Sequence, residues 1–205
     1  MAYDLLVFDL DGTLIHSAPD IVASLQAVQR RLGRPVLPDA VIVDAIGKGV
    51  RQLIEKTTAP PHAPVLAAFM AEYAEHLLDR TRLYDGVAET LDALPQRKII
   101  LSNKPEALSK KAVDGLGIAR HFEAVYGGDS FPTRKPDAEA FRRAVAGARA
   151  PVMIGDSGID VQTARNAGAP VVAVTYGYAK PGELDGVEAR VARFSELPNI
   201  LARNG

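Results

Sequence analysis

Asp9-Leu10-Asp11-Gly12-Thr13 closes the apolar run Leu5-Leu6-Val7-Phe8, setting two carboxylates two residues apart where a buried strand would run out. Successive side chains of a strand alternate in direction, so positions i and i+2 point the same way and Asp9 and Asp11 converge on one small volume. Two like charges so close repel. They are tolerated when a hard divalent cation sits between oxygen ligands, or when one carboxyl is protonated and serves as an acid. Either arrangement suits phosphoryl transfer. Gly12 lets the backbone turn tightly or approach a ligand. An ordinary surface turn uses Asp and Gly as well, so the pair needs support from the rest of the chain.

That support comes from three further clusters, each just after a β-rich run. Ser102-Asn103-Lys104-Pro105 follows Ile99-Ile100-Leu101 and offers a hydroxyl, an amide and the free N–H groups of the next helix to an anionic oxygen, although Ser102 is equally suited to capping that helix. Lys135, in Thr133-Arg134-Lys135-Pro136-Asp137, can neutralise phosphoryl oxygens and nearby carboxylates, with Pro136 opening the next helix and Arg134 a solvated surface charge. Gly155-Asp156-Ser157-Gly158-Ile159-Asp160 follows Val152-Met153-Ile154. Asp156 is a natural oxygen ligand there, and Asp160, one helical turn on, faces the same way and can act directly or through water. Acidic residues also favour a helix start, so each cluster has a purely structural reading. Their shared place after strands points to a metal-assisted phosphoryl site.

The elements that must position these residues are short strands separated by helices. Strands are expected at Tyr3 to Phe8, Lys98 to Ser102, Glu123 to Tyr126, Pro151 to Ile154 and Pro170 to Val174, with a weaker candidate at Arg190 to Phe194. This pattern predicts an α/β fold with a doubly wound, Rossmann-like parallel sheet. From Leu14 to about Leu83 no strand is evident; helices are expected at Ala18 to Leu32, Asp39 to Ile46, Val50 to Lys56 and Val65 to Leu78. A crossover of that length is read as an inserted α-helical cap over the carboxyl edge of the sheet. The expected division is residues 1–14 and 84–205 as core and 15–83 as cap, hinged at Leu14 to Ser17 and Arg82 to Gly86.

The 205 residues suffice for one full-sized domain carrying such an insertion. With 24 Lys plus Arg against 25 Asp plus Glu, the net charge of -1 gives no electrostatic case for nucleic acid or an anionic membrane. The absence of Cys removes thiol nucleophiles, disulfides and Cys-bound zinc, and fits the cytoplasm. Asp9 and Asp11 interrupt the apolar N-terminal run, so neither a secretory signal nor a membrane span is expected.

Taken in order, Asp9 to Thr13, Ser102, Lys135 and Gly155-Asp156 through Asp160 resemble the four motifs of the haloacid dehalogenase-like superfamily, and the helical insertion resembles its cap. Within it the chain is similar to phosphoglycolate phosphatases through residues 11–20, 102–105, 127–130 and 174–178; His16, Ser102 and Ala138 depart from residues frequent there without removing a catalytic group. The resemblance implies Asp9 as nucleophile and Asp11 as general acid and base. It implies Mg2+ held by the side chains of Asp9 and Asp156 and the backbone carbonyl of Asp11, with Asp160 behind them. Ser102, Asn103 and Lys135 would hold the phosphoryl oxygens. His16 has a bland reading as a hinge residue and is not nominated as acid or ligand.

The substrate implied is a small phosphorylated metabolite, 2-phosphoglycolate first, acted on by a monomer or homodimer. Its carboxylate calls for a cation in the cap; Lys48 and Arg51, in Gly47-Lys48-Gly49-Val50-Arg51, are the candidates, against a plain helix–helix turn with solvated charges. The Ala and Leu positions of Ile21 to Leu32 and Val65 to Leu78 read as helix-packing faces. Alternatives are another phosphoester or pyrophosphate, a hexose-phosphate mutase, or a non-catalytic phosphoacceptor module of the receiver type. Asp11 argues against halide displacement, Thr13 mildly against mutases, and Asp11 with the cap against a receiver.

Overall fold

Leu5, Leu6, Val7 and Phe8 are all buried, and alternation divides them between two cores. Leu6 and Phe8 join Ile100, Ile154 and Val172 on one face, whereas Leu5 and Val7 join Ile99, Leu101 and Met153 on the other. Such a strand is stable only inside a sheet covered on both sides. The structure, a computed structural model, describes residues 3–187 and 189–204 and contains that sheet.

The strands are β1 (Leu5–Phe8), then, after the helical insertion, β4 (Arg97–Leu101), β5 (Ala124–Tyr126), β6 (Pro151–Gly155), β7 (Val171–Val174) and β8 (Arg190–Val191). Their order is β5-β4-β1-β6-β7-β8 and every neighbouring pair is parallel. In register, Phe8 lies between Ile100 and Ile154. The chain therefore winds outward from β1 in one direction and returns beside it to wind in the other. The loops after β1, β4 and β6 open side by side at the crevice where such sheets bind ligands.

Helices α7 (Ala138–Ala144) and α8 (Gly158–Ala167) supply Phe141, Ala144 and Ala164 to the Leu5 face. On the Phe8 face lie α5 (Val87–Ala93), α6 (Glu106–Gly115) and α9 (Leu197–Asn204), through Val87, Leu91, Leu108 and Leu201. The insertion adds α1 (Ala18–Arg31), α2 (Asp39–Val43), α3 (Val50–Thr57) and α4 (His62–His76). Leu25 and Val28 of α1 and Val65, Phe69 and Tyr73 of α4 are buried, and they are continuous with Leu10 and Leu14 beside the sheet. The insertion enters and leaves through a two-stranded ribbon of β2 (Ile15–His16) and β3 (Arg82–Leu83), with Ile15 opposite Leu83 and His16 opposite Arg82.

Element ends depart from the sequence-based expectation for identifiable reasons. Helix α4 begins at His62 rather than Val65, because Pro64 occupies its first turn, where the N–H that proline lacks would have no intrahelical partner. Pro136 does not open α7: Asp137 caps that helix, accepting a 2.8 Å bond from the Glu139 N–H. Helix α2 ends at Val43, short of the expected Ile46, and a run of turns carries the chain to Gly47. The last strand stops at Val191, before Phe194 enters a short 3-10 turn.

Candidate active site

Asp9 is delivered by the last hydrogen bond of the β1–β6 ladder, from its N–H to the Ile154 carbonyl at 2.9 Å. Its Oδ1 accepts 2.7 Å from the Leu10 N–H and lies 2.9 Å from Lys135 Nζ. Lys135 also reaches Asp160 Oδ1 at 2.7 Å, so one buried ammonium ties the end of β1 to the first turn of α8. Asp160 is fixed in turn by the Ser157 N–H and Oγ, at 3.1 and 2.7 Å. Asp156, at the turn out of β6, accepts from Thr13 Oγ1 at 2.9 Å and the Tyr178 N–H at 2.7 Å. Asp9, Asp156 and Asp160 each offer an oxygen within 4.8 Å of the others, and all three are buried.

Three buried carboxylates against one ammonium leave net negative charge where water is scarce. Burial pushes the Asp9 carboxyl up to about 7 against the downward pull of Lys135, with Asp160 adding to the rise. Burial, then Asp160 and Asp9, raise Asp156 well above the carboxylate range. Burial would depress Lys135, but Asp160 and Asp9 overcome it and hold the ammonium up to about 12. An oxygen-only donor set with surplus negative charge fits a hard divalent cation. Backbone crowds this cradle: a Cβ on Gly12, at φ +90°, would stand 2.2 Å from Asp156 Oδ2, and one on Gly177 2.3 Å from the same atom.

Asp11 belongs to a different environment. Its Oδ1 accepts 2.5 Å from Ser17 Oγ and 3.0 Å from Lys104 Nζ, and its Oδ2 lies 3.3 Å from that ammonium. Lys104 in turn donates to Tyr73 Oη of α4 at 2.5 Å. The two acids of the motif thus face different cations, Lys135 for Asp9 and Lys104 for Asp11. Both carboxylates and Ser102 line a cavity of about 40 Å³ roofed by Ile21, Leu53, Phe69 and Tyr73. A second, of about 50 Å³, holds Asp9, Asp11 and Asp156 against Lys48, Lys180 and Tyr178. A cleft of about 950 Å³ runs open along α8; Lys135 lines it, but Asp9 and Asp11 do not.

The structure thus gathers Asp9, Asp11, Ser102, Lys135, Asp156 and Asp160 at one end of the sheet. The other expected residues have contacts and positions of their own. Asn103 spends its side-chain amide on the Gly47 and Lys135 carbonyls, both at 3.0 Å, so it joins the insertion to the core instead of presenting that amide to phosphate. Arg51 is exposed and lines neither cavity at the Asp pair, because its position on α3 faces outward; Lys48 is exposed on the rim of the second.

The sequence alone does not single out Lys104, which stands inside the Ser102-to-Pro105 cluster, or Tyr73, which reads as part of a helix-packing face. Nor does it single out Tyr178. That hydroxyl accepts from the Ser17 and Ala18 N–H groups, both at 3.0 Å, which occupies its lone pairs and directs its own O–H to His16 Nδ1 at 3.1 Å. His16 thus packs at the β2–β3 ribbon, bordered by Tyr84 and Tyr178. The available signal was the Tyr-Gly-Tyr placed just after β7.

The chain as a whole resembles known proteins. A family profile described as haloacid dehalogenase-like hydrolase matches residues 6–174. A phosphoglycolate phosphatase of Chromobacterium violaceum is 35% identical, aligned over 98% of this chain and 96% of its own. One from Rhodobacter capsulatus is 38% identical over 96% and 95%. Among solved structures, a predicted phosphoglycolate phosphatase of Haemophilus somnus superposes with a TM-score of 0.88 at 28% identity, covering 97% of each chain. The chain belongs to the haloacid dehalogenase-like hydrolase family. Within that family it is similar to the phosphoglycolate phosphatases along nearly its whole length.

Proposed function

We propose that the protein is a phosphoric monoester hydrolase, a Mg2+-dependent phosphatase that converts 2-phosphoglycolate to glycolate and phosphate through an aspartyl phosphate. The observation that carries this reading is the division of the motif: Asp9 sits in the Asp156, Asp160 and Lys135 cluster, while Asp11, two residues on, turns to Lys104 and Ser17 above it. Separate surroundings allow separate roles: with a divalent cation in the cluster Asp9 would be ionised and able to attack, while Asp11 lies outside that cluster, where it can carry a proton.

In the first step an Asp9 oxygen attacks phosphorus, the bond to the leaving oxygen breaks, and Asp11 gives that oxygen its proton. In the second, Asp11 takes a proton from water as the water oxygen attacks the same phosphorus and frees Asp9. Lys135 and Ser102 neutralise and hold the remaining phosphoryl oxygens, and Asp160 keeps Lys135 in place. Magnesium, held by Asp9, Asp156 and the Asp11 carbonyl, would screen the carboxylates from the incoming phosphate. The helices of residues 15–83 serve as the cap that excludes water, and Ile21, Leu53 and Phe69 give its underside the dryness this requires.

Phosphate release from 2-phosphoglycolate, hexose phosphates, nucleotides, pyrophosphate and pyridoxal phosphate, with Mg2+ and with chelator, tests the reading. The expected result is Mg2+-dependent preference for 2-phosphoglycolate that Asp9→Asn abolishes. Preference for a hexose phosphate or nucleotide would retain the mechanism and reject the substrate.

A further inference from the structure

The substrate reading just given requires a cation for the carboxylate of the leaving group, and the two basic residues of the cap do not enclose one. Lys48 and Arg51 are exposed. Lys48 lines the second cavity from an exposed position; the buried ammonium, lining the cavity of Asp11 and Ser102, is Lys104, a core residue after β4, only 5% exposed.

Resting on that reading, the geometry points to Lys104 as the specificity-determining residue of the site, the cation that receives a carboxylate one carbon away from the ester oxygen. Lys104 Nζ is 3.0 Å from Asp11 Oδ1. A leaving oxygen that takes its proton from Asp11 is thus placed within a few bonds of the ammonium. An ammonium has three N–H donors. Among the described residues only Asp11 and Tyr73 accept from Lys104 Nζ, which leaves one donor for a ligand. Lys104 also stands 4.5 Å from the centroid of the Tyr73 ring, so an aromatic wall fixes its direction.

Size and polarity agree with the charge. The cavity beside Asp11 is small, about 40 Å³, which favours a compact leaving group over a sugar or nucleoside. Its other walls include Ile21, Leu53 and Phe69, and in such low-dielectric surroundings a charge pair is much stronger than in water. A neutral leaving group of the same size would offer the Lys104 donor an uncharged acceptor at most, a weaker partner than a carboxylate. Discrimination should therefore exceed what shape alone provides.

The test compares kcat/KM for 2-phosphoglycolate and for 2-hydroxyethyl phosphate, which has an alcohol in place of the acid, in the wild type, Lys104→Met and Lys104→Arg. The wild type should prefer the acid, and Lys104→Met should cut that preference by about tenfold to a hundredfold, the effect of one charged hydrogen bond. Lys104→Arg should keep much of it. Lys104→Gln, read the same way, replaces the Met variant if thermal melting shows that the latter does not fold. Equal losses on both substrates in Lys104→Met, leaving the preference intact, would overturn the assignment alone and make Lys104 a support for Asp11. A wild type with no preference for the acid would overturn the substrate reading together with this assignment.

Discussion

Asp9 and Asp11 are chemically identical and two residues apart, yet burial beside Asp160 holds the Asp9 carboxyl up to about 7 while Ser17 and Lys104 claim Asp11. Because Asp9 binds its proton more tightly folded than unfolded, the metal-free protein gains stability from it at low pH and loses it as pH rises from about 4 through about 7. Asp156 shifts in the same direction. A cation must displace those protons, so the rise in melting temperature on adding Mg2+ should grow between about pH 5 and about pH 8. Melting curves across that range check this, and a constant increment would refute it. Asp11→Asn should lower kcat for 2-phosphoglycolate by about 10²- to 10⁴-fold with little change in melting temperature, as steady-state kinetics and calorimetry can show. The carboxylates were legible in the sequence because spacing and strand ends are local properties. Lys104 was not: a lysine approaching a helix is normally solvated, and only the packing of Tyr73 from a distant helix buries it.

At the scale of elements, two devices hold the site in register. One is close backbone approach at the end of β1, where Gly12 leaves space for the Asp156 carboxylate that a Cβ would take. Gly12→Ala should cost about a hundredfold or more in kcat/KM and weaken the Mg2+-induced thermal shift, since the displaced carboxylate belongs to the metal cradle. The other device is Asp20, buried in the first turn of α1. Its carboxylate accepts from the Arg80 N–H at 3.0 Å and from the Thr81 N–H and Oγ1 at 2.7 and 2.8 Å, joining the entry of the insertion to its exit. Asp20→Ala leaves buried donors unanswered and should destabilise the protein by about 2 to 4 kcal/mol, measured from the denaturant midpoint. Apolar runs located five of the six sheet strands, because such runs identify parallel strands; β8, opened by an exposed Arg190, gave only a weak signal. They did not show the β2–β3 ribbon, whose two-residue strands carry no periodicity, nor the tie from Asp20 across 61 positions to Thr81.

In the whole molecule, the helical insertion is seated on the core through contacts of unequal worth. Lys180 meets Asp44 at 2.6 Å, but both are substantially exposed, so solvent screens this pair and it holds the insertion only weakly. The buried contacts, Asn103 to the Gly47 carbonyl and Lys104 to Tyr73, converge on the reacting groups themselves. If closure is how the insertion works, small-angle scattering should show a smaller radius of gyration with Mg2+ and a phosphate analogue than without ligands; equal radii would reject a moving cap. An insertion between two runs of the sheet was readable from the long strandless segment, whereas its seating depends on partners far apart in the chain.

The central claim is that Asp9 carries the phosphoryl group. Acetyl phosphate tests it most directly, because acetate departs without needing a proton and is small enough for the cavity. Asp11→Asn, mixed with radiolabelled acetyl phosphate and Mg2+ and quenched in acid, should retain about one phosphoryl group per chain, located at Asp9 by peptide mass, since attack by water then lacks its base. Asp9→Asn should retain none. Absence of label in Asp11→Asn despite release of phosphate, or label on another residue, would contradict the account.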